Sequence, residues 1–213
     1  MDWPLIVIAA IFPAMIAVAL GLLVWHVAKL RETLRHWATT VDLQDVRNLP
    51  LRAGIRATWR GFRVTVFRRA KYKSRPETVV TTVRVQGPSR LIVKKRGFQL
   101  FKKPVILLGP ELVEPAGAEE FWVQADDGTL AATLFANNHF VSILRANLVD
   151  EEDVMTLGAK RLQLIRATET VRATRDLGEE VNVYDEHAIV RLVAGRQWAA
   201  ASKAIEVLSL APR

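Results

Sequence analysis

The side chains with which proteins most often do chemistry are scarce in this chain. Its 213 residues include no cysteine and four histidines: His26, His36, His139 and His187. Without cysteine the chain has no thiol nucleophile, disulfide or thiolate metal site. The phosphate-binding loops G-x-x-x-x-G-K-[ST] and G-x-G-x-x-G and the hydrolase motif G-x-S-x-G do not occur either. We therefore predict no catalytic residue, cofactor, bound metal or small-molecule substrate.

The strongest chemical candidate is the triplet Asp185–His187 (Asp-Glu-His). Consecutive residues on a helix point in different directions, whereas helical ligand pairs prefer spacings of three or four residues. We interpret the triplet as the first turn of a helix whose acidic residues complement the helix dipole. Glu119–Glu120 and Glu151–Asp153 are interpreted as helix starts or solvated loops. In the polar run Asn137–His139, an asparagine is interpreted as the cap of the following helix. The alternative is a membrane-tethered enzyme in which His139 or His187 works with a carboxylate.

The elements around these residues begin with a membrane anchor. Residues 3–25 form an uninterrupted run of uncharged residues, which as a helix of about 34 Å spans a hydrocarbon core of about 30 Å. A cleaved signal peptide is disfavoured because no positive residue precedes the run and its end is a poor cleavage site. Pro13 is expected to bend the helix. The anchor residues predicted to contact lipid or partner helices are Trp3, Ile6, Ile11, Phe12, Leu22 and Trp25.

The charges beside the anchor predict its orientation. Asp2 precedes the apolar run, and three basic residues follow it closely: Lys29, Arg31 and Arg35. The positive-inside rule then places the N-terminus outside and the rest of the chain in the cytoplasm, with the anchor in the inner (cytoplasmic) membrane. Helical spacing of apolar residues continues beyond the membrane to about Thr39. Residues 1–39 are therefore predicted to form the anchor and a juxtamembrane helix.

The remainder is predicted to be a linker, residues 40–50, and one cytoplasmic α+β domain, residues 51–213. Alternating apolar residues on both sides of Arg60–Gly61 indicate a β-hairpin with one buried and one mainly basic face. Further strands are predicted at 78–86, 91–95, 120–125 and 161–168. Residues 98–108 are left as loop with some strand. Helices are predicted at 136–146, with a hairpin as the rival, and at 186–210. The fold class is thus a transmembrane helix followed by a mainly antiparallel sheet with C-terminal helices.

Positive charge is concentrated in one part of the chain. The net charge is +8, from 30 Lys+Arg and 22 Asp+Glu. Residues 46–110 hold 17 Lys and Arg but one acid, Glu77, whereas residues 111–213 carry an excess of acidic residues. The hairpin cations are predicted to bind an anionic surface: Arg52, Arg56, Arg60, Arg63, Arg68, Arg69, Lys71 and Lys73. Membrane lipid is favoured for that face, since it requires no further partner. An acidic protein is the next alternative, and nucleic acid is disfavoured because no RNP, helix-turn-helix or zinc signature occurs.

Three segments carry a resemblance: TWRGFRVTV, TTVRVQGPSRLIVKKRGF and EEFWVQADDGTLAATLF. Together they resemble a loosely defined group of uncharacterised bacterial membrane-anchored proteins. In that group an aromatic–Arg–Gly hairpin opens the soluble domain, and a strand of the FWVQAD kind and a helix follow. Trp59 stands where tyrosine is more usual. The resemblance implies the architecture and no particular activity.

Two functions follow as expectations. The first is a non-enzymatic, single-pass accessory or scaffold subunit of a larger membrane complex, of respiratory, photosynthetic or transport type by analogy of architecture. Its partners would be membrane lipid and other integral-membrane subunits. The alternative is a membrane-surface module that binds anionic lipid through the basic hairpin.

Overall fold

The computed structural model describes residues 3–71, 76–87, 89–96, 111–149, 153–168 and 185–212, with side chains from Ile11 onward. The helices are α1 (Trp3–Thr40), α2 (Gly128–Phe135), α3 (Asn138–Asn147) and α4 (Glu186–Val207). The strands are β1 (Gln44–Asn48), β2 (Gly54–Trp59), β3 (Phe62–Arg69), β4 (Thr78–Gln86), β5 (Leu91–Lys95), β6 (Glu111–Val113), β7 (Phe121–Ala125), β8 (Val154–Gly158), β9 (Arg161–Ala167) and β10 (Ala211–Pro212). The predicted loop at 98–108 lies outside the described residues.

The strands form a single antiparallel sheet in the order β1-β2-β3-β4-β9-β8-β5-β7-β6, with the short β10 paired to β4. The predicted hairpin is β2–β3, which pairs Trp59 with Phe62. Its two turn residues, Arg60 and Gly61, have φ of 48° and 83°, and two consecutive positive φ values are what a type I′ turn requires. The late strand β9 lies between β4 and β8, so it joins the first four strands to the rest of the sheet.

One face of the sheet is covered by helices and forms the main core. The second half of α1 contributes Leu30, Leu34, Trp37 and Ala38 to this core, together with apolar residues of α3 and α4. Trp198 of α4 meets Trp59 edge to face, with ring centroids 5.0 Å apart. The juxtamembrane part of α1 therefore packs on the chain's own domain. The α+β class, with an apolar N-terminal helix, an antiparallel sheet and a C-terminal helix, is confirmed.

Local side-chain hydrogen bonds explain where the later helices begin. Asn137 accepts a hydrogen bond from the backbone N–H of Phe140 at 2.9 Å, so the helix is correct and the rival hairpin is wrong. Asp185 accepts from the backbone N–H groups of His187 and Ala188 and so caps α4. The triplet Asp185–His187 was correctly interpreted as the start of a helix, but the role of Asp185 as its cap was not predicted. Asp127 caps α2 in the same way by accepting from Thr129 N–H. Helix α2 was not among the elements predicted from the pattern, which passed from a strand at 120–125 to a helix at 136–146.

Three further predictions need correction. The stretch 40–50 is not only a linker, because it contains β1, which pairs with β2. Strand β8 was missed. Asp153 is neither a helix start nor solvated, since it is buried and accepts hydrogen bonds from the backbone N–H groups of Val149 and Ala167. The Arg166 guanidinium, also buried, lies 3.9 Å from its carboxylate, so the pair joins the end of the α3 segment to β9.

Docking of α1 on the domain can be tested within that helix. Leu34 is fully buried in the core, whereas Leu22 is 61% exposed on the apolar segment. We expect Leu34→Ala to lower the free energy of unfolding by about 2–5 kcal/mol, since it removes buried methyl groups and leaves a cavity. Leu22→Ala, the matched control, should leave it unchanged. Denaturation of the full chain in detergent measures both, and equal effects of the two changes would contradict the docking.

Candidate functional site

The face of the sheet turned away from the main core is strongly basic. Side chains alternate along each strand, so those of Val64 and Val66 enter the core while their neighbours on β3 point the other way. We call this outward surface the basic face. Its exposed cations come from β1 to β4, the β1–β2 loop and the β8–β9 hairpin: Arg47, Arg52, Arg56, Arg63, Arg69, Arg84, Lys160 and Arg161.

Two pairs of arginines stand directly opposite each other on the basic face. Arg47 of β1 is in register with Arg56 of β2, and Arg84 of β4 is in register with Arg161 of β9. Residues paired in this way have Cβ atoms about 4.5–5.5 Å apart, and like charges at that distance destabilise a sheet. No carboxylate among the described residues forms an ion pair with any of these four guanidinium groups. The arrangement favours an anion from outside the described chain.

A groove of about 600 Å³ lies along this face. Part of its base is polar and consists of Thr65, Thr82 and Gln163. Another part contains Phe67, and the Arg52 guanidinium lies 4.5 Å from the centre of the Phe67 ring. Beside Phe67, on the same face of the sheet, a small apolar cluster also includes Leu49, Val80 and Ile165. The described lining residues are Arg52, Thr65, Phe67, Arg69, Thr82, Arg84, Lys160, Arg161 and Gln163. None of these is a carboxylate or a histidine, so the groove presents donors and positive charge.

The structure separates the cations that the sequence analysis grouped together. Arg52, Arg56, Arg63 and Arg69 lie on the basic face, and Lys71 is exposed just beyond the end of β3. Arg60 lies in the hairpin turn, with its guanidinium 4.8 Å from the Trp59 ring centre and 4.0 Å from Glu206. Lys73 falls outside the described residues.

Arg68 is a correction to that group, because it lies on the opposite, helix-covered face. There it is paired with Glu77, the one acid of the basic segment. Its guanidinium therefore does not contribute to the basic face. The alternation of β3 already contained this signal, since Arg68 has the same parity as Val64 and Val66.

Four members of the basic face were not predicted from the sequence: Arg47, Arg84, Lys160 and Arg161. Arg84 carried a detectable signal, since it alternates with Val83 and Val85 in a predicted strand. Lys160 and Arg161 come from the acidic half of the chain. They join the face only because β9 pairs with β4, which no local pattern reveals.

The described side chains in the apolar part of α1, residues 11–25, are exposed. Within Ile11–Thr40, the part of α1 whose side chains the structure describes, the most apolar 18-residue stretch has a mean hydropathy of 2.2, and none of that stretch is buried. Among the predicted contact residues, Ile11, Phe12, Leu22 and Trp25 are exposed. The side chains of Trp3 and Ile6 lie outside the described ones. One apolar helix near the N-terminus thus has the length and composition of a membrane anchor.

Where the anchor meets the domain, a group of polar side chains joins α1 to the sheet and α4. We call it the junction cluster: His26, Arg68, Glu77, Thr168, Glu186 and His187. The Arg68 guanidinium contacts His26 Nε2 and binds the Glu77 carboxylate, and it lies 3.3 Å from Glu186. Glu186 Oε2 is 3.6 Å from His26 Nε2. Thr168 donates its hydroxyl to the Glu77 carboxylate at 3.0 Å. These contacts connect five separate elements or segments at one end of the sheet: α1, β3, the residue before β4, the residue after β9, and α4.

His187 completes the cluster by packing its ring against that of His26, with centroids 4.7 Å apart. Burial lowers the pKa of His187 below its usual 6.5. Electrostatic interactions with His26 and Lys29 lower this pKa further, whereas the carboxylates of Asp185 and Glu186 raise it. The triplet at 185–187 thus has three separate roles: a cap, an ion-pair partner and a half-buried ring. The partner that the sequence did not reveal is His26, about 160 residues away.

The junction cluster is not a recognisable metal site. In the described part of the chain, no three histidine, cysteine, aspartate or glutamate side chains are grouped so that they could hold a metal ion. His139, the other candidate for acid–base chemistry, is exposed near the start of α3, away from this cluster. The described contacts of the cluster have a structural role, since they hold α1 and α4 against the end of the sheet.

Comparison with known proteins adds little to these observations. The sequence matches no protein-family model and no curated protein. Among solved structures, the crystal structure of the mycobacterial trehalose monomycolate transport factor A, TtfA, is similar with a TM-score of 0.48 and 14% identity, over 86% of this chain and 98% of that chain. At this distance, function has to be argued from the chain's own residues.

The lowered pKa of His187 predicts how stability depends on pH. Below pH 6.5 the unfolded chain takes up a proton that the folded His187 resists, so folding stability falls as the pH falls through that range. We expect His187→Gln to reduce this loss, measured as the difference in Tm between about pH 7.5 and about pH 5.5 in detergent.

The matched control is His139→Gln, which removes a histidine that is exposed and outside the junction cluster. This variant should keep the pH dependence of the original chain. An unchanged loss of stability in His187→Gln would show that acidification acts elsewhere in the protein.

Proposed function

We propose that this protein is a single-pass, non-enzymatic accessory subunit of a membrane complex, whose domain binds an acidic surface of a partner protein on its basic face. The proposal depends on one observation, that two pairs of arginines face each other on the basic face: Arg47 with Arg56, and Arg84 with Arg161. Such pairs cost stability in the isolated chain and become favourable when carboxylates from a partner lie between them.

The orientation is supported by the contacts of the first turns after the apolar segment. Lys29 Nζ lies 5.2 Å from the centre of the Trp25 ring, an arrangement suited to the interface of an anionic leaflet. The Arg31 side chain donates to the backbone carbonyls of Leu49 and Arg52. With the basic residues after the span and Asp2 before it, the positive-inside rule favours a domain in the cytoplasm.

The distance of the basic face from the membrane favours a protein, rather than lipid, as the partner that binds this face. Along α4, contacts with α1 begin at Glu186 beside His26 and continue at Gly195 beside Trp37. Farther along α4, Glu206 approaches Arg60 in the β2–β3 turn. The strands therefore extend away from the anchor alongside α4, which covers about 30 Å from Glu186 to Glu206 at 1.5 Å per residue.

Charge on lipid headgroups is felt over a Debye length of about 8 Å at physiological salt. The strand end at Arg69 lies within this layer if the anchor stands upright. Six residues farther from the anchor, Arg63 is about 20 Å away from Arg69 along the strand. Arg84 and Arg161 are at that same distal end. A flat bilayer leaves these distal cations unpaired, whereas an acidic protein standing beside the domain reaches them.

Two double charge reversals test the proposal. Arg84→Glu with Arg161→Glu alters the distal end of the basic face, and Arg90→Glu with Arg191→Glu changes the net charge equally at exposed arginines elsewhere. We expect the first pair to reduce co-purification of integral-membrane partners about tenfold or more, because each reversed charge repels the acidic surface. Quantitative mass spectrometry after gentle detergent extraction measures the ratio.

The control pair should retain the partners at the level of the unaltered chain. Equal recovery with both double variants would refute binding through the basic face. Recovery of the unaltered protein alone, with anionic lipid, would instead support the membrane-surface module.

A further inference from the structure

We propose that the β1–β2 loop, residues 49–53, is a second membrane contact that inserts Leu51 into the headgroup region of the same bilayer that holds α1. The feature that points to this is the exposure of an apolar side chain: Leu51 is 94% exposed. Pro50 beside it is exposed as well. An apolar loop tip surrounded by cations has the composition of a peripheral contact with an anionic membrane.

The loop is not free to move away from the anchor. Arg31 Nη2 donates to the Leu49 carbonyl at 2.6 Å and to the Arg52 carbonyl at 3.2 Å, so one guanidinium holds both sides of the tip. On the sheet side, Leu49 N–H donates to the Gly54 carbonyl and Arg68 N–H donates to the Ala53 carbonyl. Leu49 itself is buried with Phe67 and Val80. Leu51 therefore remains exposed while the residues around it are fixed.

The position of Arg31 places this loop close to the bilayer. Arg31 follows Trp25, the last residue of the apolar run, by six residues, which is about 9 Å along the helix axis. Side chains on a helix lean toward its N-terminus, and here the N-terminal side is the membrane side. This lean favours a position on the membrane side of the Arg31 backbone for the two carbonyls that Arg31 binds. Leu51, between them in the chain, is within reach of the headgroup layer.

The charges around the tip match an anionic surface. Arg52 follows Leu51 directly and is exposed, with its guanidinium over Phe67. Arg69 and Lys71, both exposed, lie at the end of β3, whose Arg68 is bonded to the same loop. Cations close to an anionic leaflet contribute about 1 kcal/mol each. An apolar tip with a basic rim, held this close to the anchor, favours the bilayer as the occupant, because the bilayer offers apolar and anionic groups together at this distance from α1.

The absence of cysteine allows a direct test on the full-length protein. An environment-sensitive fluorophore is attached at one introduced cysteine: Leu51→Cys at the tip, Val24→Cys within the apolar helix, or Lys160→Cys at the distal hairpin. Both Val24 and Lys160 are exposed in the structure. The label at position 24 gives the reference emission of a fluorophore in lipid, and the label at position 160 gives that of a fluorophore in water. Each labelled protein is reconstituted, one copy per disc, in nanodiscs of phosphatidylcholine and phosphatidylglycerol with or without brominated acyl chains.

We expect the label at position 51 to emit at shorter wavelength than the label at position 160 and to lose fluorescence to brominated lipid. Emission and quenching equal to those at position 160 would overturn the proposal. A shortened wavelength without quenching by brominated lipid would overturn it too, since the label would then be covered by protein.

A second measurement tests whether the Leu51 side chain itself holds the loop in the bilayer, or whether the loop merely lies close to the bilayer. With the fluorophore at Pro50→Cys, Leu51→Met should keep the quenching and Leu51→Asp should reduce it to the level of position 160. Equal quenching in both variants would show that the apolar side chain is not what holds the tip in the bilayer. Co-purification with partners plays no part in either readout, so failure of this proposal is distinguishable from failure of the accessory-subunit proposal.

Discussion

The packing of the second half of α1 into the domain core governs the rest of the structure. One continuous helix carries a bare apolar segment, with exposed side chains such as Phe12, and buried core residues such as Leu34. The relation between anchor and domain is therefore set by side-chain packing and not by a flexible linker. Arg31, which binds the β1–β2 loop, and the junction cluster around Arg68 add polar contacts at the same end of the sheet.

This docking also decides how charge is distributed. Because α1 and α4 cover one face of the sheet, a cation on that face loses water and needs a partner. Arg68 has such a partner in Glu77, and buried Arg166 lies near Asp153. The cations on the other face keep their contact with water and need no carboxylate to fold. The positive charge of the chain is consequently left on the surface where a partner can reach it.

Elements with a strong local pattern were predictable. Strands β4 and β5 were predicted with the bounds that the structure has, because each alternates or is flanked by turn residues. Helix α3 was predicted from its spacing and from an asparagine cap, which the structure identifies as Asn137. The misses have weak local patterns: β1 is short and polar, β8 adjoins an acidic run, and α2 is an eight-residue helix directly after a strand. Pairing with neighbours in the fold stabilises these segments, so the sequence pattern alone does not identify them.

By itself, the sequence determined the properties that depend on composition and local spacing. These are the apolar span, the basic flank after it, the β2–β3 hairpin and the contrast between a basic and an acidic half. Only the tertiary structure decided which cations stand together. It pairs β9 with β4, so that Arg161 faces Arg84, and it brings His26 against His187 and turns Arg68 toward Glu77. The physical reason is that side-chain alternation specifies a face for each residue, whereas strand order and helix docking depend on the burial of the whole core.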